Sequence, residues 1–179
     1  NLWEVYGTSS YTGATQINDG TLQIGNDNAL PVATAVRVGT GTTAGTFDLN
    51  GFNQTIGSLL VQTNSNAVTN NIVVDSGKTL TVNGAVAIGV NADNSDTNLT
   101  ASGGGSIVVN SGGAGFQIGG ATGSTNENRV DVDFSGLASF TANLGTGSFR
   151  LGDANSASGT SGLSTFKLAT NNTITSADI

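Results

Sequence analysis

Apolar residues alternate with polar ones along short stretches of this chain: Ile72 and Val74, Leu80 and Val82, Val86 and Ile88, Val130, Val132 and Phe134, Phe149 and Leu151, Phe166 and Leu168. A two-residue period puts the apolar side chains of a stretch on one face, so each predicts a β-strand buried on one side. Turn-forming pairs such as Ser76-Gly77, Asn83-Gly84 and Gly112-Gly113 separate the stretches. An aliphatic-glycine pair also recurs, at Ile24-Gly25, Ile56-Gly57, Ile88-Gly89, Ile118-Gly119 and Leu151-Gly152, in steps of 32, 32, 30 and 33 residues.

Within the later intervals the same order of parts returns. Strands are predicted over 71–75, 79–82 and 85–88, then over 98–101, 106–109 and 115–118, then over 129–134, 139–142 and 148–151. A further coil begins at 164–168 and 173–175 and stops before its third strand. Equivalent half-buried strands can close a narrow core only by stacking into parallel sheets, each coil on the last, about 4.8 Å apart. The expected fold is all-β: a parallel β-helix, or β-solenoid, with three strands and about 31 residues per coil. Asn50-Gly51 and Asn83-Gly84 would suit an antiparallel hairpin fold, but such a fold needs no phase relation between strands thirty residues apart. The expected organisation is an aromatic tail or cap over residues 1–10 and one solenoid domain over 11–179.

Composition narrows the picture. Of 179 residues 36% are hydrophobic and 9% charged, enough for a slender core and little more. Glycine occurs 27 times against one proline, which removes collagen-like and proline-rich readings. The net charge is −7, and the five basic residues, Arg37, Lys78, Arg129, Arg150 and Lys167, form no basic stripe, so no nucleic-acid partner is expected. Cysteine, methionine and histidine are absent, which removes thiol chemistry and the usual zinc or haem ligands and suits an oxidising exterior. No apolar run is long enough to span a bilayer. The chain starts at Asn1 with no signal peptide, as a mature product or a segment of something longer would.

The stretch 11–25, Tyr-Thr-Gly-Ala-Thr-Gln-Ile-Asn-Asp-Gly-Thr-Leu-Gln-Ile-Gly, followed by Asn28-Ala-Leu-Pro31, Gly45-Thr-Phe-Asp-Leu-Asn-Gly51 and Gln54-Thr-Ile-Gly-Ser-Leu59, resembles the autotransporter-associated β-strand repeat, also called the passenger-associated transport repeat. The resemblance covers about residues 9 to 60, and 61–179 resemble the accompanying repeats more loosely. It implies a secreted or surface-displayed bacterial protein with a β-helical passenger acting as stalk, adhesin or surface layer. It carries no catalytic residues to transfer, and the outer-membrane barrel of such proteins has no counterpart here.

Candidate chemistry is sparse, and no catalytic residue, cofactor or metal site is assigned. Arg129, Asp131, Asp133, Arg150 and Asp153 are the group to weigh for polysaccharide cleavage, with exposed ion pairs as the plainer reading. Oxygen-rich loops carry Asn91, Asp93 and Asp96, but at spacings that fit no calcium loop. A threonine row suited to ice would need regular repetition, and Thr79 with Thr81 is followed by Ser106 with Val108. Polar segments after Gly57, Gly89, Gly119 and Gly152 should emerge along one edge, making Asn64, Asn66, Asn91, Asp93, Asp96, Asn126, Asp153 and Asn155 candidate contacts for a glycan or cell surface. Trp3, Tyr6 and Tyr11, with Ile174 and Ile179 at the other end, are candidate subunit-interface residues, since an uncapped coil offers strand edges to a neighbour. The expected role is a structural extracellular rod, stacking end to end or continuing a longer solenoid. An adhesin using the loop edge is the alternative, and a polysaccharide-active enzyme comes third.

Overall fold

The two-residue alternation becomes three parallel sheets wound into one solenoid in the computed structural model, which describes residues 1–90, 96–120, 129–152 and 164–179. The chain opens with β1 (Leu2–Val5) and β2 (Thr15–Ile17), then β3 (Gly20–Ile24) and β4 (Ala35–Val38). Next come β5 (Gly45–Asp48), β6 (Gln54–Ile56) and β7 (Ser58–Val61), then β8 (Thr69–Val73), β9 (Thr79–Val82) and β10 (Val86–Ile88). β11 (Thr97–Ser102), β12 (Ser106–Asn110) and β13 (Phe116–Ile118) are followed by β14 (Val130–Asp133), β15 (Ser139–Asn143) and β16 (Phe149–Leu151). β17 (Ser164–Lys167) and β18 (Asn171–Thr175) end the series.

The first sheet runs β1-β3-β5-β8-β11-β14-β17, the second β6-β9-β12-β15-β18 and the third β2-β4-β7-β10-β13-β16. From β5 to β16 each coil visits them in that order, and its other two strands act as the crossover that parallel pairing demands, while the coils of β1–β2 and β3–β4 have no second-sheet strand. Pairing is parallel in every one of these ladders, which disposes of the hairpin alternative. There are about 5 turns of roughly 29 residues each.

The coil is not of constant length. In the third sheet Ile17 lies opposite Val38, Val38 opposite Val61, Val61 opposite Ile88, Ile88 opposite Ile118 and Ile118 opposite Leu151, so the step grows as 21, 23, 27, 30 and 33 residues. The aliphatic-glycine pairs therefore mark one phase only in the second half. The Gly89, Gly119 and Gly152 amides follow third-sheet strands and donate to Val61, Ile88 and Ile118. Gly25 instead ends β3, and Gly57 turns the corner from β6 to β7. The early 32-residue steps mix different corners because tight corners of every kind select glycine. The segment after Gly57 likewise opens with strand β7 before its polar residues begin.

Inward residues fill the tube. Ile24, Val36, Phe47, Ile56, Ile72, Leu80, Ile88, Leu99, Ile118 and Val130 are wholly buried or nearly so. As the coil lengthens the filling turns aromatic. Phe116 stacks on Phe149 with centroids 4.9 Å apart, and Phe140 meets Phe116, Phe134 and Phe166 edge to face at 5.4, 5.3 and 5.7 Å. Residues 1–10 are tied in through β1, whose Leu2, Trp3, Glu4 and Val5 lie opposite Thr21, Leu22, Gln23 and Ile24. At the far end the last coil reaches the third sheet, because Ser148 bridges to Asp178 and the Phe149 amide donates to the Asp178 carbonyl at 2.9 Å. Among the described residues no helix is long and apolar enough to cross a membrane.

Candidate binding surfaces

Outward residues stand in columns, because parallel in-register pairing repeats each position one strand further along the rod. On the first sheet the carboxylates weighed for catalysis form such a column set with their cations. Arg129 Nε donates to Asp131 at 2.8 Å, Thr165 Oγ1 to Asp131 at 2.6 Å, and Lys167 Nζ to Asp133 at 3.1 Å. The Ser135 amide and hydroxyl also donate to Asp133, at 2.8 and 2.5 Å, and hold its carboxyl below the ordinary 3.8, with Lys167 adding to the effect against partial desolvation. Arg150 is not part of this group, since it faces outward from the third sheet, and Asp153 lies outside the described residues.

The candidate loop contacts fall, in sequence, between the end of a third-sheet strand and the start of the next first-sheet strand. The intervals there are 18–19, 39–44, 62–68, 89–96, 119–129 and 152–163, growing steadily along the chain. Asn64 and Asn66 are exposed on the third of these. The Asn66 carbonyl accepts from Asn98 Nδ2 at 2.9 Å, and the Asn64 amide donates to the Gly41 carbonyl at 2.6 Å, so this interval is hydrogen-bonded from coil to coil. Asp96 is also spoken for, its Oδ1 accepting from the Arg129 amide at 2.9 Å. Asn91, Asp93, Asn126, Asp153 and Asn155 lie outside the described residues. Among the described residues no three acidic groups come together as metal ligands would.

The terminal candidates divide. Trp3 is 73% exposed and Ile179 93% exposed, whereas Ile174 packs against the core. The Tyr6 ring lies on Gly25, where a Cβ would fall 2.3 Å from it, and Glu4 beside it raises the phenol above its ordinary value. Tyr11 shares a hydrogen bond with Thr15, whose hydroxyl also meets Thr34 at 3.1 Å, so this tyrosine is anchored to the first coils.

Sequence reasoning missed a surface on the third sheet. The middle outward positions of its strands read Gln16, Arg37, Leu60, Ala87, Gln117, Arg150 along the rod. A cavity of about 260 Å³ is lined by Gln16, Arg37 and Leu60 together with Gln62 and Asn64 of the loop edge. A second, of about 290 Å³, is lined by Gln117, Arg150 and the 146–148 corner. The signal was present in the 33-residue offset of Gln117 and Arg150, but the 21-residue offset of Gln16 and Arg37 is hidden by the misleading early glycine steps.

The polar groups that stabilise the tube were also unread. Gln54, Thr63, Asn70 and Thr97 are buried. Asn70 accepts from the Gly45 amide at 3.2 Å and donates to the Asn98 carbonyl at 3.1 Å, while Thr97 Oγ1 bridges the amide and carbonyl of Thr63 at 3.1 Å each. Compared with known proteins, the chain matches no family model, no curated protein and no solved structure.

Proposed function

We propose that this chain is a rod-forming structural module of an extracellular or cell-surface assembly, and that it lengthens by adding coils end to end. One observation carries the reading. Trp3 and Leu168 occupy the same inward column of the first sheet, Trp3, Leu22, Phe47, Ile72, Ala101, Phe134, Leu168, at its two open edges. Both are exposed although their column is the core. A second copy added in register sets Trp3 onto Leu168, buries both and pairs the unpaired amides and carbonyls of β1 and β17. The resemblance over residues 9 to 60 supports the surface setting, as does the absence of cysteine and methionine.

Sedimentation velocity and electron microscopy over a concentration series test this. Head-to-tail rods are expected, reduced by Trp3→Asp or Leu168→Asp; monomers throughout, from a protein with native β-sheet circular dichroism, overturn it. A second reading, a binding module that uses the loop-bearing edge, is favoured by the steady growth of the intervals along that edge.

A further inference from the structure

We infer that the outer face of the third sheet binds a linear polysaccharide bearing carboxylate or sulfate groups, with Arg37 and Arg150 as its two anchoring points. The inference rests on the binding-module reading and gives it a place and a ligand class.

Of the five basic residues, Arg129 and Lys167 are neutralised by Asp131 and Asp133, while Arg37, Lys78 and Arg150 take part in no ion pair among the described residues. Of these three, Arg37 and Arg150 face outward from the third sheet. Both stand in the same outward column, each lies next to a glutamine on the neighbouring strand, and each lines a cavity. Four strand steps separate them, about 19 Å along the rod.

A guanidinium is a planar fork that meets a carboxylate or sulfate with paired hydrogen bonds. Gln16, Gln62 and Asn64 add amide donors and acceptors around Arg37, the groups that recognise sugar hydroxyls. Between the two Gln-Arg pairs the column is Leu60 and Ala87, half-buried and uncharged, which suits the C–H faces of sugar rings. A chain laid along the column would touch amide and arginine, then the apolar step, then amide and arginine again. Nucleic acid fits less well. The column holds no aromatic side chain for base stacking, the contact by which single-stranded nucleic acid is usually held.

The test is calorimetry and affinity electrophoresis of the full chain with polygalacturonate, dextran sulfate, neutral dextran and single-stranded DNA. Binding to polygalacturonate or dextran sulfate is expected, and the stronger of the two identifies the acid group. Arg37→Gln and Arg150→Gln should each weaken binding about tenfold, and the double variant should weaken it further. Lys78→Gln, which removes a cation away from this face, should leave it unchanged. Circular dichroism confirms that these exposed substitutions leave the fold intact. Unchanged binding by the double variant, equal loss on Lys78→Gln, DNA bound as tightly, or neither acidic polymer bound would each overturn the inference. If neutral glycans bind and only shortening of the loops abolishes it, the binding-module reading stands and this inference falls.

Discussion

The side-chain amide of Gln54 pairs with the backbone of Leu30 as a neighbouring strand would: Leu30 N donates to Oε1 and Nε2 donates to Leu30 O, each at 3.1 Å. Both residues are buried, and the stretch around Leu30 occupies the second-sheet side of its coil without forming a strand. Replacing Gln54 by Leu keeps the volume but strands a buried N–H and C=O. The expected cost is about 2 to 4 kcal/mol, read as a lower urea midpoint with unchanged m-value. Gln54→Glu should also destabilise at neutral pH, because a carboxylate cannot donate to the Leu30 carbonyl.

That pairing shows which part of the fold the sequence could reveal. Val130, Val132 and Phe134 alternate with charged residues, and no other arrangement buries all three on one side, so β14 and its neighbours are legible. Asn70 sits inside the unbroken polar run Thr69-Asn70-Asn71 and reads as loop. It is buried because Gly39 leaves room for it and the Gly45 amide, 25 residues earlier on the neighbouring coil, donates to it. Such a residue belongs to the core only through contacts between coils. The same holds for the surface. Gln16 and Arg37 become a pair only once the 21-residue step is known, and a step that grows from coil to coil hides it from any search for a fixed period.

Phe140 is the hub of the aromatic filling, in ring contact with Phe116, Phe134 and Phe166. Phe140→Ala should cost about 3 to 5 kcal/mol, the usual range for a buried phenylalanine. A solenoid is held coil by coil, so the loss should be local. Hydrogen exchange is expected to speed up in β12, β15 and β18 before β3, β5 and β6, whereas uniform acceleration would argue that the rod melts as one unit.

Gly57 turns the corner between β6 and β7 hard against the coil before it. A Cβ there would lie 2.4 Å from the Ala33 carbonyl oxygen and 2.9 Å from its carbon, both backbone atoms that cannot step aside cheaply. Gly57→Ala should therefore lower the thermal midpoint by an amount equivalent to about 1 to 3 kcal/mol. Gly13→Ala, where nothing lies within 4 Å of the new methyl, is the control and should be close to neutral.

Acid should loosen the rod through two carboxylates. The Asn53 backbone amide donates to Asp27 at 2.7 Å and holds its carboxyl below the ordinary 3.8, helped by the Asn53 side chain and Lys78 against some desolvation. Asp133 is depressed likewise, first by the Ser135 hydroxyl and then by the Ser135 amide and Lys167. A group whose folded pKa lies below its unfolded value stabilises the fold at every pH above the unfolded value. It loses that contribution as pH falls through the folded one. Stability from these two groups should thus be flat from neutrality down to the ordinary 3.8 and fall below it. Both groups are exposed, so each effect is small and best read as a difference. Urea midpoints measured from about pH 5 down to about pH 2 should fall less steeply in Asp27→Asn and in Asp133→Asn than in the parent chain, and least steeply in the double variant. At neutral pH the same variants should be slightly less stable than the parent, because the contact to the charged form is already lost. Identical acid profiles for parent and double variant would mean that other carboxylates set the acid response.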